Sequence, residues 1–454
     1  GGDGKDFIIT GEDISFTVAG TGDDFILGTK GNIQTTGNEG DDWIEIGTQD
    51  GAVGDNFDPQ ARDLIKGNDV FVGGGGFDEF IAEGGNDIMF GSDGQEKMDG
   101  ASGFDWATYI QATAGVKVDL MNSSFARSAP TPSTFGLNDL FAFVEGLSGS
   151  LFGDILKGDD STNSDLLIAG AQGSVLDQAG INMISGLQAV VGAGVTSFGG
   201  GNIMLGGSGG DIFEGRQGDD IIEGDKYLNV RISVRANADG TGAEIRSAKT
   251  ITELAADMLS GALNPGQLVI VREILTGSGG IDTAVYSGNR ANYTINVGAN
   301  GTVTVTDNVG LVNPLGVVIA TEGTDTLRGI ERLQFADQVV VLTPSTNAGP
   351  GGLLPISDAT PAVGQTLTVS AAGVTDANAP GGVAARPISF TWQFERFPGT
   401  GRWEDIVTLG GLGGAATSAD GVSLTVPAVA AGFDMQGLRL RVSAVYQDAT
   451  GVLE

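Results

Sequence analysis

The sequence predicts an all-β chain: a parallel β-roll, or β-solenoid, of nine-residue repeats in several blocks, with β-rich caps and a short helix, then a C-terminal β-sandwich. Three observations carry this. Glycine supplies 77 of 454 residues against 13 prolines, more than twice its usual share of roughly 7%, which points to dense turns. A core Gly-x-Asp-x-apolar recurs every nine residues through the first hundred positions. From about residue 355 the pattern changes to strict apolar/polar alternation. With 40% apolar and only 18% charged residues, the chain can bury enough surface to fold. Its length suits about three domains at roughly 150 residues each.

The repeat opens with GGDGKDFII at residue 1 and returns as AGTGDDFIL (19–27), GNEGDDWIE (37–45), GGGGFDEFI (73–81) and AEGGNDIMF (82–90). GSDGQEKMD (91–99) is degenerate, and GASGFDWAT from 100 restores the acid. The sixth position reads Asp6, Ser15, Asp24, Ile33, Asp42, Gly51, Gln60, Asp69, Asp78, Asp87, Glu96 and Asp105. Two residues later stand Ile8, Ile26, Ile44, Phe71, Phe80, Met89 and Met98. Nine residues cannot bury their own apolar face, so these side chains line a stack of neighbouring units. If two units make one turn, stacked acids are 18 apart. Parity then puts Asp6, Asp24, Asp42, Asp78 and Glu96 on one edge and Asp69, Asp87 and Asp105 on the other, the latter bare at Ser15 and Ile33.

Each unit divides into a six-residue turn and a three-residue strand. Glycine tolerates φ > 0 and lets bare carbonyls crowd together. Ca²⁺ takes six to eight oxygens, which glycine carbonyls and an aspartate from each of two stacked turns supply; the tighter, hydrated Mg²⁺ fits less well. Candidate carbonyl donors are Gly2, Gly4, Gly20, Gly22, Gly74, Gly76, Gly207 and Gly209. The alternative is a metal-free stack with solvated acids. It holds at Ser15, Ile33, Gly51 and Gln60, which have no carboxylate.

After Tyr109 the period stops. GVKVDL (115–120) reads as a strand before the loop SSFARSAPTPSTFG, and a second block places Asp154 before Leu156 and Asp165 before Leu167. A Gly/Ala/Val-rich stretch, 180–201, leads to Asn202, Asp211 and Asp220, and GSGGIDTAV (277–285) adds Asp282. TITELAADMLSG predicts one helix, with Ile251, Leu254, Ala255 and Met258 on one face, a capping box from Thr250 and Glu253, and Gly261 as terminator. NYTINV and TVTVTD flank Asn300-Gly301 as a hairpin. TDTLRGIERLQFADQVVVL completes a β-rich cap. The divisions are 1–109, 110–225, 226–342, a linker at 343–358, and a sandwich at 359–454 with Trp392 in its core; Trp403 packs at core or rim, or marks a binding face.

Cysteine and histidine are both absent, which removes disulfides, thiol catalysis, imidazole bases and His-ligated haem. A net charge of −34 excludes nucleic acid as a partner. No stretch is apolar for 18 residues, so no membrane insertion is expected. The chain opens in phase with its repeat, without an initiator methionine or signal peptide, as expected of part of a longer protein. An enzyme built on paired carboxylates would draw on Glu145, Glu273 and Glu331, if two converged in a cleft.

These repeats, spread from 1 to 285, resemble those of RTX calcium-binding secreted proteins. More widely, GNEGDDWIE, DNFDPQARD, GNDVFVGGGGFDE, SDGQEKMDGASGFDWATY, LNVRISVRANADGTG and PGQLVIVREIL are similar to the RTX-bearing C-terminal region of large bacterial animal-type haem peroxidases, across roughly 1–342. VGQTLTVSAAGVTDAN, ISFTWQF, GRWEDI and LRLRVSAVYQDATGVLE resemble Ig-like domains of type I secretion substrates. The resemblance implies calcium ligands at Asp6, Asp24, Asp42, Asp69, Asp78, Asp87, Asp105, Asp211, Asp220 and Asp282. Glu96 and Asn202 depart from the pattern, and their sites are weaker or differently coordinated. With no histidine here, any peroxidase catalysis belongs to a covalently attached domain upstream of residue 1. The implied protein is a non-enzymatic, calcium-loaded scaffold, secreted or at the cell surface, that folds after export. A calcium-dependent adhesive or self-assembling matrix element is the second reading.

Overall fold

The computed structural model describes residues 1–10, 15–28, 33–46, 51–54, 67–92, 94–122, 139–161, 173–298, 301–312 and 318–342, and in the C-terminal part 354–358, 360–371, 374, 387–395, 403–406, 422–426, 429–430, 433–434 and 438–446. Gln60, the Pro- and Ser-rich loop, Asp165 and Asn300 lie outside the described residues.

Short strands follow each glycine turn. Phe7–Ile9, Phe25–Leu27, Trp43–Glu45, Val70–Val72, Ile88–Phe90 and Trp106–Thr108 pair in parallel, with Phe7 beside Phe25, Phe25 beside Trp43 and Ile88 beside Trp106. The sheet continues through Gly146–Ser148, Ile203–Leu205, Ile221–Glu223 and Thr324–Arg328, and ends in the antiparallel hairpin Tyr293–Val297/Val303–Asp307, for twelve strands in all. A seven-stranded sheet alternates with it along the chain, from Gly2–Asp3 and Ser15–Thr21 to Gln95–Asp99 and Leu140–Ala142. A six-stranded sheet, Lys117–Asp119 through Ile155–Lys157, Ile212–Glu214, Thr283–Val285 and Arg332–Gln334 to Val339–Val341, serves the later repeats.

The residue two after each acid points into one inner core. Ile26, Ile44, Phe71, Met89, Leu147, Met204, Ile222 and Leu327 come from one sheet, and Phe80, Met98, Phe141, Leu156, Phe213 and Leu333 from the other two. The residue between, such as Phe25, Trp43, Val70, Ile88 or Trp106, faces the opposite way into a second core. That core is covered by an antiparallel sheet, Glu244–Ala248, Lys226–Arg235 and Leu268–Thr276, and by short helices. Both faces of the sheet are therefore buried through most of its parallel part, which is why strands there read as apolar runs such as FIL and IMF.

Two sequence expectations are corrected. The step from Asp42 to Asp69 spans 27 residues, because Trp43 pairs with Val70 and Gly51 with Asp78. Both steps are one nonapeptide longer than the 18 residues of the earlier turns, so parity reverses there. Asp69, Asp87 and Asp105 continue the edge of Asp6, Asp24 and Asp42, while Asp78 and Glu96 stand on the other. The helix at 250–261 is instead a 3₁₀ turn, Ile251–Glu253, followed by Ala255–Leu259. Its capping box does not form. The Glu45 carboxylate, 206 positions earlier, accepts from Ile251 N–H at 2.7 Å and Thr252 Oγ1 at 2.6 Å, and Glu253 turns back to Lys249 N–H at 3.1 Å. Gly261 does end the segment, at φ +73°. The stretch 180–201 also contributes to two helices, Gln178–Met183 and Leu187–Val191, the first capped by Asp177.

In the C-terminal part, Trp403–Asp405, Pro387–Glu395 and Leu440–Tyr446 form an antiparallel sheet, and Thr366–Thr368 pairs with Ser423–Thr425. Trp392, Phe394, Leu367 and Leu424 make its separate core. Trp403 lies at the rim, with the Arg441 and Arg439 guanidinium groups 4.6 and 5.5 Å from its ring centre. Among the described residues no helix is long and apolar enough to cross a membrane.

Candidate metal centres

Strand register stacks the acids into two columns. In the first, each acid's backbone N–H donates to the carboxylate of the next turn. Asp6 donates to Asp24 at 2.7 Å, Asp24 to Asp42 at 2.7 Å, Asp42 to Asp69 at 2.8 Å, Asp69 to Asp87 at 2.6 Å, Asp87 to Asp105 at 2.8 Å, and Asp105 to Glu145 at 3.0 Å. The register then passes to Asn202, whose N–H donates to Asp220 at 2.7 Å, and from Asp220 to Asp325 at 3.1 Å. The second column starts without carboxylates at Ser15, Ile33 and Gly51, then runs through Asp78, Glu96 and Asp139. On the later sheet it comprises Asp154, Asp211, Asp282 and Glu331, joined by bonds of 2.7, 2.7 and 2.9 Å.

The other carboxylate oxygen is the informative one. Oδ2 of Asp24, Asp105, Asp211, Asp220 and Asp282 is buried and has no hydrogen-bond partner among the described residues. A carboxylate oxygen shut from water without a partner is costly. At Asp42, Asp105, Asp154, Asp211 and Asp220 the Oδ2 lies against the Cα of the glycine five residues earlier, and a Cβ on Gly37, Gly100, Gly149, Gly206 or Gly215 would fill the space. Neighbouring turns stack glycine on carbonyl: Gly20 on Gly2 O, Gly22 on Gly4 O, Gly94 on Gly76 O, Gly277 on Gly207 O and Gly280 on Gly209 O. Gly74 instead presents its N–H to Asp78, at 3.3 Å. Among the described residues no three carboxylates gather around one point. The donor set is one acid per turn with stacked carbonyls, all oxygen, which suits a hard cation of high coordination number. Asp154 fits least, because Ser150 N–H, Ser150 Oγ and Val116 N–H already saturate it.

Burial and like-charged neighbours raise these carboxyls. Desolvation lifts Asp24 to about 6, against bonds to its carboxylate that favour the charge, and lifts Asp282 to about 8. Burial likewise puts Glu145 at about 8 and Asp154 at about 7. Asp105 and Asp211 are pushed well up, first by burial and then by the stacked charges of Asp87 and of Asp154. Raised values mean that the metal-free stack favours neutral acids. It is stabilised below the ordinary carboxylate range, near pH 4, and loses that stability as pH rises through 6 to 8. Calcium needs the ionised form, so binding displaces protons. Calcium added at pH 6 is expected to release protons, seen as buffer-dependent binding heat, and to release fewer at pH 8.5. Binding heat independent of buffer at pH 6 contradicts this assignment.

Sequence spacing missed Asp139, Glu145, Asp325 and Glu331, which fall off the nine-residue count. Each precedes by two a residue of the inner core, Phe141, Leu147, Leu327 or Leu333; that acid-x-apolar triplet was the available signal. Glu145 and Glu331 thus belong to different columns, and Glu273 pairs with Arg231 and Asn229, both at 2.9 Å, on the covering sheet. The structure does not bring these three glutamates together in a cleft.

Residues 66–106 and 196–226 match the RTX calcium-binding nonapeptide repeat, in four copies. No curated protein matches the chain. Such repeats bind Ca²⁺ at multiple sites, and the matched segments contain Asp69, Asp78, Asp87, Glu96, Asp105, Asn202, Asp211 and Asp220.

Proposed function

We propose that the chain is a calcium-assembled extracellular scaffold, an RTX β-roll from the C-terminal part of a larger type I secreted protein, and that it performs no catalysis itself. The observation that carries this reading is the recurrence, at Asp24, Asp105, Asp211, Asp220 and Asp282, of a buried carboxylate oxygen without a hydrogen-bond partner among the described residues, four of the five lying against a glycine. Extracellular calcium modules bind at about 10⁻⁴ to 10⁻³ M, above the calcium level of a cytosol, so the chain stays threadable inside and orders outside. Residues 359–454 would be an Ig-like module. The similarity to the region that follows haem peroxidases makes presentation of an attached catalytic domain part of this role.

Sedimentation velocity separates scaffold from matrix element. A scaffold passes from a slow, expanded species in chelator to one faster species in millimolar calcium, at every protein concentration. Growth with both calcium and protein concentration would replace it by the self-assembling reading. Identical sedimentation in calcium and chelator contradicts both.

A further inference from the structure

The first column is broken at Asn202, an uncharged amide between Glu145 and Asp220. The turn there is split between two stretches, 158–161 and 200–202, that lie together against the turn 215–220. We propose that Asp159, outside the nine-residue register, supplies the missing carboxylate to a calcium ion held between this split turn and the turn 215–220. The site rests on the calcium reading and adds a ligand that the repeat does not provide.

The Asp159 carboxylate accepts from Ser161 N–H at 2.9 Å and Ser161 Oγ at 2.7 Å, one bond per oxygen, which holds it beside the Ser161 carbonyl, and two further hydrogen bonds place the other donors. Asp159 N–H donates to Asn202 Oδ1 at 2.9 Å, and Asn202 N–H donates to Asp220 Oδ1 at 2.7 Å, so the three residues form one chain across the two turns. Asp220 is 1% exposed, and its Oδ2 has no hydrogen-bond partner among the described residues. Carbonyls close the gap from both parts of the split turn: a Cβ on Gly218 would lie 2.7 Å from Gly200 O and 2.9 Å from Ser161 O, and one on Gly158 would lie 2.6 Å from Gly215 O. Burial raises the Asp220 carboxyl most, and the nearby charge of Asp159 raises it further. Two carboxylates balance a divalent cation, where Asp220 with Asn202 would leave it half neutralised. The ion then ties together both ends of segment 162–199, whose helices Gln178–Met183 and Leu187–Val191 pack into the second core.

Ion counting by equilibrium dialysis of the full chain with radioactive calcium tests the site. Asp159→Asn and Asp220→Asn should each bind one ion fewer than the parent, and the double variant also one fewer, because both remove the same ion. Asp160→Asn, at the exposed neighbour, should keep the parent count. Hydrogen exchange guards against a misfolded Asp220 variant: calcium should protect 158–161 and 200–202 in the parent, and Asp159→Asn should lose that protection while keeping it around Asp24. Parent stoichiometry and protection in Asp159→Asn overturn this site and leave the calcium reading standing. A parent that binds no calcium overturns both.

Discussion

Removing calcium is expected to unfold the stack. Carboxylates repeated at strand spacing, about 4.8 Å, repel one another when ionised, and the chain carries −34 overall. At 5 mM calcium and a Kd of about 0.1–1 mM, each site that exists only in the folded state adds about 1–2 kcal/mol, so five cradles add of order 5–10 kcal/mol. That matches the entire stability of an ordinary domain, about 5–15 kcal/mol. Titrating calcium after chelation should bring in β-type circular dichroism cooperatively. Over the same range, the radius of gyration of the 454-residue chain should fall, from an upper bound of about 80 Å for a fully unfolded chain, toward the roughly 22 Å of a compact one. A chain already compact and β-rich in chelator, gaining nothing in millimolar calcium, contradicts the switch.

The second large effect is expected at Gly85. Its φ is +142°, and it pairs with Gly103 in a short parallel ladder. A Cβ there would overlap the Gly67 carbonyl oxygen, and one on Gly103 would overlap Gly85 O. Gly85→Ala therefore adds backbone strain of about 1–3 kcal/mol to a displacement of the turn costing about 1–3 kcal/mol more. The displacement also moves the stacked carbonyls off their cation positions. Gly75 is the control, with φ +97° and nothing within 4 Å of the point where an added methyl would stand. In saturating calcium, Gly85→Ala should lower Tm by roughly 5–10 °C, and Gly75→Ala by clearly less. Equal losses at the two positions contradict close carbonyl stacking.

The glycine-acid-apolar repeat made much of this readable, because one spacing fixes turn, strand and core face together. Asp6, Asp24 and Asp42 stack at 18 residues as the period requires. Parity failed after Asp42, since a step of 27 residues keeps the nine-residue count but changes the edge. Columns also recruit acids at irregular intervals: Asp139, Glu145, Asp325 and Glu331 return after insertions, where the register is set by strand pairing rather than by chain distance. Nor can local sequence show that Glu45 caps the turn at Ile251, or that Asp159 approaches Asn202 across a split turn. These are tertiary contacts that override local capping and repeat logic.

Whether cations sit beside the buried, unpartnered carboxylate oxygens is tested most directly by anomalous diffraction from crystals grown with calcium. Peaks are expected about 2.3–2.6 Å from the buried Oδ2 of Asp24, Asp105, Asp211, Asp220 and Asp282, with none beside Ser15 or Ile33. Calcium confined to surface carboxylates, with these five oxygens left bare, would contradict calcium-assembled stacking.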